Sequence, residues 1–437
     1  MKRFRAGILL LLGFAAPVVS PLVAHAQLRD SVALERRAAQ MTAFLNGASL
    51  SLDTVFDAAF LAQVTPTQMH AIAAQLAQVG RVQRTSITSE AVPSGAQFQL
   101  ATDKGYAIPM SLTLDASPPN LISGLLFGQP ALATGTMDDL LKELAALPGH
   151  ASLYAARIDG DRLVPVATLD TGRALAIGSA FKLYALSELA HEIEQSKRHW
   201  ADVVLLDSTW RSLPSGILQT WPAGTPMTLQ TLATLMISQS DNTAADHMVR
   251  TLGREKVEAI QSVAGNSHAT MNEPFLTTRE MFALKSPTTA ALLSRYIAGN
   301  TATRRAVLTD PALLAKQRVP DFSHGPIAID AVEWFASTAD LARTMLWLRD
   351  HSESGPAAAA RGVLSVNKGI PWPAAAWKYA GFKGGSEPGV INLSFIAQRA
   401  DGQWIVLTAT WNNSAAPVDE TKFVSLIVRA RDLIGLR

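Results

Sequence analysis

The sequence predicts an α+β protein of two units behind a removable leader. Three observations predict it. Alternating apolar stretches at 151–158 and 163–169 open the larger part of the chain, and others at 379–383, 390–397 and 404–410 close it. Between them the apolar spacing is helical. Strands from both ends, joined into one antiparallel sheet with helices on its faces, make an α+β sandwich. Second, Pro118-Pro119 and the Gly- and Pro-bearing stretch 128–135 divide the chain. Third, 437 residues at 48% hydrophobic and 17% charged supply core enough for two or three domains.

Residues 1–26 read as a secretory signal peptide rather than part of the fold. Lys2, Arg3 and Arg5 give a positive start, 7–16 is a short apolar run, and Ala24-His25-Ala26 is a small-x-small cleavage site. The apolar run is too short for a membrane span. The expected destination is the periplasm or the medium, with no membrane attachment after cleavage. There is no cysteine, so disulfides, thiolate metal sites and lipidated cysteines are excluded. Net charge is +2 with no basic run beyond the leader, which gives no support to nucleic-acid binding.

The first unit, 28–130, should carry helices at 34–45 and 65–79, the latter capped by Thr65 or Thr67. Strands should follow at 81–88, 95–101 and 107–114. This order resembles the small α+β cone of nuclear transport factor 2-like domains. No catalytic set stands out in it, and a structural or substrate-covering role is expected.

The second unit, 145–437, follows a short helix at 137–146. Asp159-Gly160-Asp161 is the hairpin turn between its first strands. Helices are expected around Ser179, at 229–237 under a Thr228 cap, after the stretch 238–246 up to Leu252 with a stop at Gly253, and from a Ser337 cap to Leu348. Residues 273–330 are less regular, with helical pieces near 288–298 and 301–315. A further helical piece follows the alanines at 357–360, and a last helix covers 418–434.

The chemistry starts at Ser179-Ala180-Phe181-Lys182. Apolar Phe181, Leu183, Leu186 and Leu189 mark a buried helix. Three residues is just under one turn, so Ser179 and Lys182 share a face. Burial disfavours the ammonium form, and a neutral lysine beside a hydroxyl can take its proton. A short motif of this kind also arises by chance. Ser365-Val366-Asn367-Lys368 is a second match, and Pro371 and Pro373 argue against a long helix there. Downstream lie Ser240-Asp241-Asn242 and Lys383-Gly384-Gly385-Ser386. Alone, the first could be a helix-capping turn and the second a solvated strand end with a bulge.

Together and in this order, the three motifs resemble those of class A β-lactamases and penicillin-binding proteins, over about 145–437. The resemblance implies a β-lactamase/transpeptidase-like antiparallel sheet flanked by helices, and an acyl-enzyme at Ser179. It implies that Lys182 is the base or part of a proton relay, that Ser240 passes a proton to the leaving atom, and that Lys383 tunes the relay and meets a substrate carboxylate. Asn242, Gly385 and Ser386 would bind substrate, with the backbone N–H groups of Ser179 and Ser386 as the oxyanion hole. No metal or organic cofactor is implied.

Two departures bear on activity. Gly384 lacks the hydroxyl found in Lys-Thr-Gly, and no Glu-x-x-Leu-Asn pattern for a deacylating glutamate is present. Glu333, beside Trp334 and Phe335, is the first candidate for that base, then Glu280 and Glu273. The expected function is an exported β-lactamase acting on a small-molecule substrate as a monomer. The alternatives are an esterase or D-Ala-D-Ala carboxypeptidase of the same fold, and a non-enzymatic β-lactam or cell-wall sensor.

Overall fold

The computed structural model describes residues 23–92, 95–128, 130–132, 135–314 and 319–435. Most of the expected leader lies outside these residues. The chain forms two compact units, one up to Phe127 and one from Gly128 onward, with Gly105–Ala107 counted to the second.

In the first unit, helices α1 (Val23–Leu45), α2 (Ala58–Gln63) and α3 (Pro66–Leu76) precede four strands. These are β1 (Val82–Val92), β2 (Gly95–Thr102), β3 (Tyr106–Leu114) and β4 (Ile122–Phe127), paired in chain order. Helix α1 buries Leu34, Ala38, Met41, Phe44 and Leu45, a stripe at helical spacing, against Phe98, Leu100, Met110 and Leu112 of the sheet. Thr65 caps α3 with a full capping box to Gln68. Helix α1 begins within the expected leader and runs through Ala26.

The second unit opens with α4 (Met137–Ala145), β5 (His150–Asp159), β6 (Arg162–Leu169) and the short β7 (Leu175–Ala176). Helices α5 (Lys182–Glu194), α6 (Leu229–Ser238), α7 (Asn242–Leu252), α8 (Arg254–Val263), α9 (Thr278–Leu284), α10 (Ala290–Ala298) and α11 (Thr301–Leu308) come next. Strand β8 (Phe335–Ala336), α12 (Thr338–His351) and α13 (Ala359–Ser365) lead to β9 (Trp377–Glu387), β10 (Val390–Arg399) and β11 (Trp404–Asn412). Helix α14 (Glu420–Gly435) closes the chain.

The main sheet has the order β9-β10-β11-β5-β6, antiparallel throughout. One of its faces carries the larger core, built with α5, α6, α7 and α12. The other carries α4 and α14, whose Phe423 packs among Phe395, Leu407 and Trp411 of the sheet. The sandwich of strands from both chain ends is as the sequence predicts. Strand β9 is longer than expected and continues through Lys383 to Glu387, which places the third motif inside an edge strand. Helix α9 falls in the stretch expected to be irregular. Its signal is a capping box between Thr277 and Glu280.

Candidate active site

Ser179 lies in a 3₁₀ turn, Gly178–Phe181, and Lys182 is the first residue of α5. In a 3₁₀ turn residues i and i+3 eclipse, so the shared face expected of a helix survives the tighter winding. Lys182 is fully buried, while Ser179 keeps partial access to solvent. Lys182 Nζ is 3.2 Å from Ser179 Oγ, 3.1 Å from Ser240 Oγ, 2.7 Å from Asn242 Oδ1 and 2.6 Å from Ser240 O. Lys383 Nζ is 3.1 Å from the same Ser240 hydroxyl. Ser179, Lys182, Ser240 and Lys383 therefore form one continuous hydrogen-bonded chain, with Asn242 against it.

Burial drives the Lys182 ammonium well below the usual lysine range, and the Lys383 charge adds to the effect. Burial also lowers Lys383, to about 7. A neutral Lys182 offers a lone pair to Ser179, which is the requirement for a base.

The second motif is both a cap and a site. Asp241 is the N-cap of α7, accepting from Ala244 N at 2.8 Å. Its other oxygen accepts from Ile217 N and Leu218 N at 2.7 and 2.9 Å. This anchoring holds Ser240 at φ +54°, in the left-handed region that costs a non-glycine residue energy. The capping alternative is thus realised by Asp241 alone, while Ser240 and Asn242 turn toward Lys182.

The third motif meets the nucleophile through two glycines. A Cβ on Gly385 would collide with Ile177 O and Ser179 N, and one on Gly178, at φ +50°, would sit 3.1 Å from Ser386 N. Backbone thus approaches backbone here, and the N–H groups of Ser179 and Ser386 share one neighbourhood. Gly178, just before the motif serine, was not singled out in the sequence. Its signal is the small residue placed where the edge strand must pass.

The second Ser-x-x-Lys match has no such surroundings. Ser365 ends α13 and donates to Gly362 O at 3.0 Å, and Lys368 is exposed beyond the helix.

The three carboxylates separate clearly. Glu333 is buried, 3.5 Å from Lys285 Nζ and facing Glu387, and among the described residues it makes no hydrogen bond or ion pair to Ser179 or Lys182. Its carboxyl, the first candidate for the deacylating base, is occupied by a buried cluster of its own. Glu280 is taken up by Arg254 and by the cap of α9. Glu273 is half-buried and has neither hydrogen bond nor ion pair among the described residues. Its segment is latched to the nucleophile. Asn272 exchanges hydrogen bonds with the Phe335 backbone, Trp334 Nε1 donates to Leu276 O, and the Phe275 ring packs edge-on at 5.7 Å against Phe181.

The site brings together what a serine hydrolase needs, a hydroxyl nucleophile with a buried amine in hydrogen-bond contact. Residues 136–320 match the beta-lactamase enzyme family. Among solved structures, the chain is similar to a beta-lactamase from Sphaerobacter thermophilus, at 17% identity over 68% of this chain and 94% of that one, with a TM-score of 0.48. It is also similar to PBP-A, at 15% over 69% and 94% with a TM-score of 0.47, and to a beta-lactamase from Chitinophaga pinensis, at 14% over 68% and 96% with a TM-score of 0.46. No curated protein matches the sequence.

Proposed function

We propose that this protein is an exported acyl-transfer hydrolase whose substrates are β-lactam amides. The observation that carries the reading is the chain Ser179–Lys182–Ser240–Lys383. Ser179 Oγ bonds to the lactam carbonyl carbon while its proton passes to neutral Lys182. The carbonyl oxygen takes up negative charge between the N–H groups of Ser179 and Ser386, each worth about 3 kcal/mol to the transition state. The C–N bond then breaks, and the nitrogen receives a proton through Ser240. Water hydrolyses the ester, with Glu273 as the base that accepts its proton. Export is supported by the leader sequence, and would be tested by fractionation and the mass of the mature chain.

The test is intact-protein mass against time after mixing with a penicillin and with a cephalosporin. An adduct that decays as the drug is consumed supports a β-lactamase, and Ser179→Ala should abolish it while Ser365→Ala leaves it unchanged. Glu273→Gln should convert the transient adduct into a persistent one. A persistent adduct on the unaltered protein would point to a sensor or penicillin-binding role. No adduct on folded protein would overturn the substrate class. One observation favours an esterase as the second reading: Gly384 offers no hydroxyl for a substrate carboxylate, and the Ser386 hydroxyl is engaged by the Glu420 carboxylate.

A further inference from the structure

A second cluster of buried charge lies beside the site and takes no part in the relay. Lys285, at the end of α9, and Glu333 have no exposed side-chain surface, and Glu387, at the end of β9, keeps 4%. Lys285 Nζ contacts an oxygen of each carboxyl, with the shorter contact to Glu387. Glu333 Oε1 and Glu387 Oε2 are buried with no hydrogen-bond donor. The two carboxyls are within hydrogen-bonding reach of one another, and they and Lys285 are the charged groups that face each other here. One lysine against two carboxylates would leave net negative charge in a place shut off from water, which is strongly disfavoured. A single proton removes that charge and turns two orphaned acceptors into a donor and an acceptor. Burial and the Glu387 charge raise Glu333 to about 8, so the proton is present at neutral pH.

The cluster touches both flanks of the nucleophile. Glu387 follows Ser386 and shares the strand face of Gly385 and Lys383. Glu333 precedes Trp334, whose ring stacks on Phe181 at 3.8 Å and whose carbonyl accepts from Ile177 N at 3.0 Å. We propose that Glu333 and Glu387, sharing one proton over Lys285, are positioning residues that hold the Gly385–Ser386 edge against Ser179. The oxyanion pocket then closes only while the cluster carries that proton. The inference rests on the acyl chemistry proposed above only for what the edge is used for.

The probe is a fluorophosphonate, which labels an activated serine without depending on the true substrate. Labelling rates are read by intact mass from pH 6 to 10. Glu333→Gln, whose amide imitates the protonated acid, should label within about threefold of the unaltered protein at pH 7 and lack its decline near pH 8. Glu333→Leu, which cannot bridge, should label at least about tenfold more slowly with an unchanged circular dichroism spectrum, as expected when a reacting group is misplaced by an ångström or less. Equal losses in both variants, or no change in either, would overturn the proposal. Thermal unfolding gives a readout independent of serine chemistry. Because Glu333 is raised in the folded state, it contributes a loss of stability as pH rises from about 5 to 8, opposite in sign to the contributions of Lys182 and Lys383, and Glu333→Gln should lack that contribution and so show a more positive slope than the unaltered protein. If labelling fails in every form but the slopes differ, the acyl reading falls and the shared proton stands. If the slopes coincide, the shared proton falls.

Discussion

Around Lys182 Nζ, the Ser240 carbonyl and Asn242 Oδ1 can only accept, while the Ser179 and Ser240 hydroxyls can donate, so two N–H groups and one lone pair satisfy the place. The amine is enclosed and faces the charge of Lys383, so the neutral form with its lone pair suits the place better. Lys182→Ala should leave Ser179 present but unactivated, and acylation measured by mass should slow by about 10²- to 10⁴-fold. Retained acylation would mean that another group takes the proton. Lys383 yields a prediction with a definite sign. It titrates near 7 when folded and near the ordinary lysine value when unfolded. Between about 7 and 10 the unfolded chain therefore binds more protons, and this group makes stability rise with pH. Lys383→Met should abolish that rise in denaturant titrations across pH 7–10, and an unchanged slope would show that Lys383 is not depressed. Ser179, Lys182, Ser240, Asn242 and Lys383 were legible in the sequence because each sits in a short local pattern. The engagement of Glu333 elsewhere was not legible. The aromatic neighbours of Glu333 announced its burial correctly, but Lys285 and Glu387, which meet it there, come from distant parts of the chain.

At the level of elements, strand β9 depends on what is missing from it. The backbone of Gly385 lies against Ile177 and Ser179 with no room for a methyl group. Register holds it there, since Gly385 pairs with Asn392 and Lys383 with Ser394 on β10. Gly385→Ala should push the edge outward, withdraw the Ser386 N–H and slow acylation by about 10²- to 10³-fold, the effect of removing one oxyanion donor. Melting temperature should change little if only the edge moves. Unaffected acylation would show that the edge does not form the pocket. The sequence pattern ended this strand at Lys383, because glycines are unfavourable in strand interiors, and here close backbone contact overrides that preference. Helix α9 shows the opposite case. Its capping box was present in the letters, but Pro274 and Pro287 on either side masked a helix of seven residues.

Across the whole molecule, every residue assigned to the site lies in the second unit, and the first unit has a core of its own. Phe98 is 2% exposed within that core, among Met41, Leu100 and Met110. Truncating a buried phenylalanine removes its transfer energy and leaves a cavity, at a cost of about 3–5 kcal/mol. Phe423, on the buried face of α14, occupies the corresponding place in the second unit at 0% exposure. If the site is complete within the second unit, the two substitutions should part company. Phe98→Ala should lower a denaturant transition by about that amount while Ser179 acylates at its ordinary rate, and Phe423→Ala should lower both stability and the denaturant concentration at which acylation is lost. If acylation falls in Phe98→Ala under conditions where the second unit remains folded, the first unit contributes to the chemistry and the helper role expected of it becomes a catalytic one.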